Sequence, residues 1–376
     1  MKKKVFSILL AAAMTAVMLG GCGSAATEAV PETTETAAEE PAAEPAADTT
    51  ETAEPESPAP EDTAAGELIS VKALGEFDPQ ISGQQIIAQE MGYFAEEGLD
   101  VELELLTDPS ISTTMIASGE AQFYSASQYQ NINLFDKGTD VCVIAPVVNA
   151  GNTQVIVGGP NLTLTSAKDL EGKKMGYTDG AGVIVAVKNM CEDLGVDFDK
   201  IELVNLQAAD MLASLERGDI DFFAAWEPWG LKAEAFGGKV LFTGTRSYLP
   251  DNEGDVDYLD FIVCINVNRD FYESDPDACA AYVRAMIKAT DYINANMEDA
   301  AKIIAEKINL DAEECYNIMQ KNEYGVKFDK TYKDSCESLA VYMQESGMTS
   351  SLVSYDSFNE PSVLESIDPA LVDVTK

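Results

Sequence analysis

From Leu68 onward, short apolar runs rich in β-branched residues alternate with longer segments of helical periodicity. LISVKALG and LDVELELL are typical of strands, and the segment between them is typical of a helix. A βαβα order of this kind predicts parallel sheets that are covered by helices. The region that follows residue 66 is longer than one such core usually accommodates. The sequence therefore predicts an α/β protein of two lobes.

The alternation starts again after Asn152, in what we take as the second lobe. KKMGYTD, IELVNL, DFFAAW and KVLFTG are predicted strands. Helices are expected to begin near Ala181, Ala208 and Glu227. This second series of strands and helices predicts a second sheet, separate from the first.

Two further strands, TQVIVGG and YLDFIVCINV, are predicted to carry the chain from one lobe to the other and back. Everything after the second of them has helical periodicity, without the strands that a third sheet would need. We therefore expect a first lobe of residues 67–153, a second lobe of residues 154–260, and a return to the first lobe over residues 261–376, which are mainly helical.

Helix boundaries are marked by capping residues. Ser82, with Gln85 three residues later, has the pattern of a capping box, and Gly98 is a suitable residue just past a helix end. These residues predict one helix over SGQQIIAQEMGYFAEEG. Asp108 and Pro109 predict the start of the next helix.

The first residues, MKKKVFSILLAAAMTAVMLGGC, combine three lysines, an apolar run and small residues. They predict an export signal over residues 1–21. The segment from Leu19 to Cys22 resembles a bacterial lipobox, which implies that Cys22 is lipidated and anchors the protein to the outer face of the cell membrane. The alternative is an ordinary signal peptide with an incidental cysteine. Residues 22–66, rich in Ala, Glu, Thr and Pro, predict a disordered acidic tether.

The chain has a formal charge of -41 and contains no histidine. A protein this acidic repels nucleic acid and anionic lipid, so neither is an expected partner. The lack of histidine removes the commonest metal ligand and the ordinary proton shuttle at neutral pH. We expect no metal, no cofactor and no enzymatic activity.

Six cysteines follow Cys22, and none of them forms a CxxC pair. Cys142 and Cys264 lie within apolar strands, which favours buried thiols over a metal site or a disulfide framework. A disulfide between Cys315 and Cys336 remains an open alternative.

Four stretches resemble, in their order and spacing, the SsuA/THI5-like substrate-binding proteins of ABC importers: MGYFAEEGLDVELELL, DLEGKKMGYTDGAG, ASLERGDIDFFAAWEPW and VNRDFYESDPDACAAYVRA. The resemblance covers roughly residues 68–350. It implies a type II-like periplasmic-binding fold, with two α/β lobes joined by two crossing strands and a C-terminal helical segment. It also implies an extracytoplasmic monomer that closes on a solute and delivers it to a permease driven by a separate ATPase.

In open α/β sheets, ligands bind at the carboxyl ends of the strands. The candidate ligand-binding residues are those that follow predicted strands, and Trp226 and Glu227 also match an acidic tryptophan-containing element of the family. The full set is Phe77, Asp78, Ser125, Ser127, Asn149, Asn152, Asp179, Gly180, Gly182, Gln207, Trp226 and Glu227.

Several of these residues have structural alternatives. Ser127 and Asp179 could serve only as helix N-caps, and Glu227 could only complement a helix dipole. Trp229, one helical turn after Trp226, is expected to pack between helix and sheet.

None of the four arginines lies in a loop that we assign to the cleft, so no bidentate clamp for a sulfonate or carboxylate is evident. Aromatic residues and carboxylates favour a small nitrogen-containing solute, either aminopyrimidine-like or a zwitterionic amine or sulfonate. One alternative is an enzyme like the fungal pyrimidine synthases, whose chemistry relies on histidine. The other is a lipoprotein that senses a ligand without transporting it.

Overall fold

The computed structural model describes residues 68–106, 109–179 and 181–374, and only the backbone at positions 109, 110, 112 and 113. All described residues belong to one compact unit, Asp62–Lys376. The predicted signal peptide (1–21), the predicted lipidation site Cys22, the predicted tether (22–66), Asp108 and Gly180 lie outside the described residues.

The strands of the described residues are, in chain order, β1 (Ile69–Glu76), β2 (Leu99–Leu106), β3 (Phe123–Ser127), β4 (Val141–Asn149), β5 (Gln154–Gly158), β6 (Lys174–Tyr177), β7 (Glu202–Asn205), β8 (Phe222–Trp226), β9 (Lys239–Thr243), β10 (Arg246–Leu249), β11 (Asn252–Asp255), β12 (Ile262–Asn268) and β13 (Glu323–Tyr324).

The α-helices are α1 (Pro79–Glu90), α2 (Tyr93–Glu96), α3 (Pro109–Ser118), α4 (Gln128–Asp136), α5 (Ile184–Leu194), α6 (Ala208–Arg217), α7 (Trp229–Glu234), α8 (Arg269–Ser274), α9 (Pro276–Ala295), α10 (Met297–Ile308), α11 (Ala312–Met319), α12 (Lys330–Glu345) and α13 (Ser362–Ile367). Among the described residues, no helix combines the length and apolar character needed to cross a bilayer.

The first sheet has the strand order β13-β4-β12-β3-β1-β2. β1 is parallel to both β2 and β3, whereas β12 is antiparallel to β3 and β4. β4 and β12 are buried almost throughout, as central strands must be. Helices α1, α2, α9 and α10 pack with this sheet or with one another, and we call the sheet with its helices the first lobe.

The second sheet has the order β11-β10-β9-β5-β8-β6-β7 and, with its helices, forms the second lobe. β6 is parallel to β7 and β8, but β5 is antiparallel to β8 and β9. At the sheet edges, β10 is antiparallel to β9 and β11, and β13 is antiparallel to β4. The prediction of parallel sheets is therefore wrong at these edges, and it is also wrong for β5 and β12. β5 and β12 are each the first strand after the chain changes sheet. The chain arrives at the carboxyl edge of the new sheet and has to run down it in the opposite direction.

The start of α1 differs from the prediction. Asp78 is the N-cap, because its side chain accepts from the Gln80 backbone N–H and Pro79 occupies the first helical position. Ser82 lies within the helix, where its Oγ accepts from the Glu76 backbone N–H at 2.7 Å. The expected capping box at Ser82 is therefore wrong.

The helix predicted to run to Gly98 is interrupted near its middle. α1 ends at Glu90, and Gly92, with a φ of 75°, separates it from α2. A left-handed residue cannot continue a right-handed helix. The predicted helix starts at Pro109 and Ala208 are confirmed.

Two further helices start later than predicted. α5 begins at Ile184 rather than near Ala181, and α7 begins at Trp229 rather than at Glu227. The six cysteines after Cys22 are buried thiols in the structure, so no disulfide joins Cys315 to Cys336.

Candidate functional site

A cavity of about 200 Å³ lies where the strand ends of the two sheets face each other. Both lobes contribute to its walls, and the loops that follow β1, β3, β6 and β8 meet there. The lining residues are Glu76, Asp78, Gln80, Ile81, Ser127, Tyr129, Gln130, Gln154, Thr178, Asp179, Ala181, Gly182, Trp226 and Phe261.

The wall from the first lobe consists of two strand ends and the helix starts that follow them. Asp78 Oδ1 accepts from the Gln80 backbone N–H at 2.6 Å. Ser127 caps α4 in a capping box with Gln130, whose Nε2 also donates to Glu76 Oε1 at 3.3 Å. This side of the cavity is thus held by helix-capping contacts, which fix side-chain oxygens close to backbone N–H groups.

The wall from the second lobe is built around β5 and β8. Gln154, the first residue of β5, pairs with Trp226, the last residue of β8. Asp179 follows β6 and does not cap α5, whose N-cap is Val183. A Cβ added at Gly182 would lie 3.2 Å from Tyr129 Cγ, so the backbone of one lobe approaches an aromatic ring of the other.

The cavity has an acidic lining without a basic counterpart. Glu76, Asp78 and Asp179 are among the described lining residues, and neither lysine nor arginine is. Burial, together with the charge of Asp78, raises the pKa of Glu76 to about 7. Burial raises the pKa of Asp78 to about 6, against the opposing effect of its hydrogen bonds to Gln80 and Ile81.

The four arginines form ion pairs elsewhere on the protein. Their partners are Asp219 for Arg217, Asp255 for Arg246, Asp140 and Glu360 for Arg269, and Glu97 for Arg284. No guanidinium is therefore available to bind an anion in the cavity. Among the described residues, no group of three or more His, Cys, Asp or Glu is arranged to hold a metal ion.

Residues 80–300 match the family model described as NMT1/THI5 like. The chain belongs to the NMT1/THI5-like family. This confirms the family resemblance seen in the sequence.

One curated relative is the formylaminopyrimidine-binding protein of Halalkalibacterium halodurans, which is 28% identical over 58% of this chain. The match covers 64% of that protein, so the chain spans just under two thirds of this relative's length. Another is a 4-amino-5-hydroxymethyl-2-methylpyrimidine phosphate synthase of Saccharomyces cerevisiae, 24% identical over 65% of this chain and 74% of the relative.

Among solved structures, the periplasmic aliphatic sulphonate binding protein SsuA of Escherichia coli superposes with a TM-score of 0.66. It is 15% identical, and the match covers 78% of this chain and 91% of SsuA. At this identity the likeness concerns the fold alone. The bilobal periplasmic-binding fold expected for an NMT1/THI5-like protein is confirmed.

The structure brings five of the predicted ligand-binding residues to the cavity: Asp78, Ser127, Asp179, Gly182 and Trp226. They come from both lobes of the NMT1/THI5-like fold. Each lies just after a strand end or at it, as the position of ligands in α/β sheets requires.

Six other predicted residues do not line the cavity. Phe77 points elsewhere with 45% of its surface exposed, and Ser125 is buried inside β3. Asn149 donates to Asp260 and Asn152 accepts from Thr243. Both side chains therefore form hydrogen bonds that hold the segments connecting the two lobes. The last two of the six are Gln207, which is exposed in front of α6, and Glu227, which is described next.

Glu227 is completely buried behind the cavity wall. Its carboxylate accepts from the Leu231 backbone N–H at 2.9 Å and forms an ion pair with Lys321 of the first lobe. Its carbonyl oxygen accepts from Gln80 Nε2 at 3.2 Å. Glu227 thus connects the two lobes and does not face the cavity.

Nine described residues that line the cavity are absent from the predicted set: Glu76, Gln80, Ile81, Tyr129, Gln130, Gln154, Thr178, Ala181 and Phe261. Glu76 directly follows the predicted strand LISVKALG but was not among the candidates; in the structure it is the last residue of β1. Gln154 is the first residue of β5 and Phe261 directly precedes β12, and both strands enter their sheets from the carboxyl edge. A polar or aromatic residue directly after a change of sheet is the signal that could have identified them.

Proposed function

We propose that this protein is an extracytoplasmic solute-binding lipoprotein of an ABC importer. It captures a small nitrogen-containing organic solute between its lobes and delivers it to a membrane permease that is driven by a separate ATPase. The observation that supports this most is the cavity itself. It lies between the strand ends of two lobes, is flanked by Trp226, and has an acidic lining without a lysine or arginine among the described residues.

Closure of the lobes provides the mechanism. A solute in the cavity touches loops of both lobes, so it makes more contacts when the lobes are close together than when they are apart. A ligand shifts a conformational equilibrium only through such differential contacts. The close approach of Gly182 to Tyr129 marks the point where the lobes meet at the cavity. The permease then recognises the closed form.

The size and lining of the cavity support the choice of solute. About 200 Å³ accommodates a single substituted ring but not a dinucleotide or a peptide. Trp226, Tyr129 and Phe261 provide apolar surface for such a ring. An aminopyrimidine-like ring fits this lining, and the formylaminopyrimidine-binding relative supports it. A zwitterionic amine or sulfonate is the second candidate, favoured by the shared fold with SsuA.

The N-terminal sequence supports the proposed location. Its signal-like residues and Cys22 predict export and lipid anchoring to the cell membrane. Metabolic labelling with a fatty acid should label the wild-type protein and leave a Cys22→Ser variant unlabelled. Labelling of the variant would contradict anchoring through Cys22.

Tryptophan fluorescence tests solute binding, since the chain contains only two tryptophans. Trp229 does not line the cavity, and Lys232 Nζ lies 4.9 Å from its ring centroid. A Trp229→Phe variant therefore retains the cavity tryptophan as its only reporter. We expect a screen of pyrimidines, amines, sulfonates and amino acid derivatives to yield a solute that changes its fluorescence.

The Trp226→Phe variant is the matched control. It should lose most of the fluorescence response to that solute while keeping the fold. Loss of the whole ring in Trp226→Ala should weaken binding by about 1–3 kcal/mol. If no solute alters the fluorescence of Trp226 or the melting temperature, the proposal fails.

The synthase relative makes enzymatic conversion the competing function. The two functions differ in the fate of the solute. A binding protein returns it unchanged, so NMR of the solute released after long incubation should show the original compound only. A new product that depends on the wild-type protein would favour the enzyme.

A further inference from the structure

The carboxylates that line the cavity have no positively charged partner among the described lining residues. Glu76 and Asp78 are separated by a single residue, and Asp179 lines the cavity from the second lobe. No described lysine or arginine lines the same cavity. Glu76 and Asp78 are partly buried and lose hydration, and Asp179 is exposed at the cavity rim. Carboxylates this close together repel one another, so the Glu76–Asp78 pair is stable only with compensating contacts.

The compensation present in the first lobe is incomplete. Asp78 accepts from the backbone N–H groups of Gln80 and Ile81 and, at 3.3 Å, from Gln80 Nε2, so its shortfall is smaller than that of Glu76. Glu76 accepts one hydrogen bond, from Gln130 Nε2 to its Oε1. Its Oε2 has no hydrogen-bond donor among the described residues.

A second, independent polar group faces the same space. Gln154 is 4% exposed and lines the cavity, but its side-chain amide has no hydrogen-bond partner among the described residues. Buried amides are normally hydrogen-bonded. Its position next to Trp226 in the sheet places an unpartnered amide beside an indole ring.

We propose that the carboxylates of Glu76 and Asp78 bind a positively charged nitrogen group of the solute, whose planar body lies against Trp226 and whose remaining polar edge pairs with Gln154. This inference rests on the proposed function and specifies the charge of its solute. A charged N–H donor forms strong hydrogen bonds to carboxylates, and a cation is also attracted to the face of an indole. An anionic solute would meet like charge on two walls.

Binding of a cation then releases protons. Burial and the neighbouring Asp78 raise the pKa of Glu76 to about 7, and burial raises that of Asp78 to about 6. The unliganded pair is therefore partly protonated near neutral pH. A bound cation favours the ionised carboxylates, so affinity for a permanently charged ligand increases as the pH rises through this range.

Other titratable groups around the pair do not change this direction. Asp179 faces it across the cavity and adds negative charge. Cys315 and Tyr324 interact electrostatically with Asp78, and burial raises the pKa values of both well above neutral, so both are uncharged. The ion pair of Glu227 with Lys321 is linked to Asp78 through Gln80 and is internally neutral.

Three probes of the same shape test the charge preference: benzamidine, benzamide and benzoate, which are cationic, neutral and anionic at pH 7. Calorimetric titration of the full-length protein should give affinities that decrease in this order, by about tenfold or more between cation and neutral amide. Benzamidine should bind more tightly at pH 8 than at pH 5. Titration in buffers of different ionisation enthalpy should show proton release at pH 6 to 7.

Two variants connect the effect to the carboxylates. Glu76→Gln and Asp78→Asn should each weaken benzamidine binding about tenfold or more, with little change for benzamide. Asn still accepts the capping hydrogen bond, so α1 is retained. Glu76→Gln should also flatten the pH dependence. Glu102→Gln, which removes an exposed carboxylate from β2, serves as the control and should leave all three affinities unchanged.

The results separate this inference from the proposed function. If a neutral or anionic solute changes Trp226 fluorescence while benzamidine binds no better than benzoate, the charge assignment is wrong and solute binding stands. An unaltered preference for benzamidine in Glu76→Gln and Asp78→Asn also overturns the assignment. If neither the probes nor the solute screen show any binding, both proposals fail.

Discussion

Glu227, which directly follows β8, forms an ion pair with Lys321, which lies between α11 and β13. The Glu227 side chain is fully buried, whereas the Lys321 side chain is 29% exposed. The pair joins the second lobe to the helical part of the first. Because it lies behind the cavity wall, its energy contributes to holding the lobes together rather than to solute contacts.

We therefore expect Lys321→Met to destabilise the protein. It would leave the Glu227 carboxylate buried with only the Leu231 N–H as a donor. The loss should be about 1–3 kcal/mol in the free energy of unfolding, less than for a completely buried pair because Lys321 is partly hydrated. Urea denaturation measures it. Lys330→Met, which removes an exposed pair with Asp334, is the control and should cost less than about 1 kcal/mol. Equal effects of the two variants would show that Glu227 does not depend on Lys321.

Gly182→Ala should weaken solute binding more than it destabilises the protein. The added Cβ would lie 3.2 Å from Tyr129 Cγ, so the ring has to move or the lobes have to separate. Overpacking of this kind costs about 1–3 kcal/mol. This cost destabilises the closed form, in which the two lobes meet. The affinity of the solute found by fluorescence and the melting temperature without solute are the two measurements.

Gly325→Ala is the matched control for that substitution. No heavy atom lies within 4 Å of a Cβ added there. Its affinity should equal that of the wild type. An unchanged affinity in Gly182→Ala as well would mean that Tyr129 and Gly182 separate freely during binding.

Glu76 should make the unliganded protein less stable as the pH rises. Its pKa is about 7 in the folded protein against an ordinary value of 4.5, so the folded state binds the proton more tightly. The free energy of unfolding then decreases as the pH rises from about 4.5 to about 7. Glu76→Gln removes this contribution. The melting temperature of the variant, relative to that of the wild type, should therefore increase as the pH rises from about 4.5 to about 7. Glu102→Gln should show no such trend; a parallel trend would point to general charge repulsion instead.

The cysteines should be unreactive in the native protein. Burial raises the pKa values of the Cys191, Cys264, Cys279 and Cys315 thiols to about 12, and only the thiolate reacts readily. Peptide mapping after treatment with iodoacetamide should find these residues unmodified without denaturant and fully modified in guanidinium chloride. Modification of any of them in the native state would show that its region opens to solvent.

The sequence was sufficient to place the loops that follow parallel strands. Ser127, Asp179 and Trp226 reach the cavity because the carboxyl ends of neighbouring parallel strands share one edge of a sheet. The strand and helix order alone determines that edge. The position of these residues at the cavity could therefore be predicted without knowledge of side-chain contacts.

Other features depend on contacts between distant parts of the chain. The burial of Glu227 requires Lys321, which lies in the turn after α11, far along the sequence, and a local pattern shows no such pairing. Gln154 reaches the cavity because β5 enters its sheet antiparallel, a direction that hydrophobic periodicity does not encode. The start of α1 was misplaced because Asp78 and Ser82 both have the residue types of an N-cap, and only the geometry distinguishes them.

The insertion of β12 between β3 and β4 has a consequence for biosynthesis. Until residues 262–268 have left the ribosome, β4 has no hydrogen-bonded link to β3, and the first sheet exists only as separate pieces. The second sheet is encoded without interruption between Gln154 and Asp255, so its strands are all present earlier. During synthesis the later-encoded lobe can therefore complete its sheet before the lobe that emerges first.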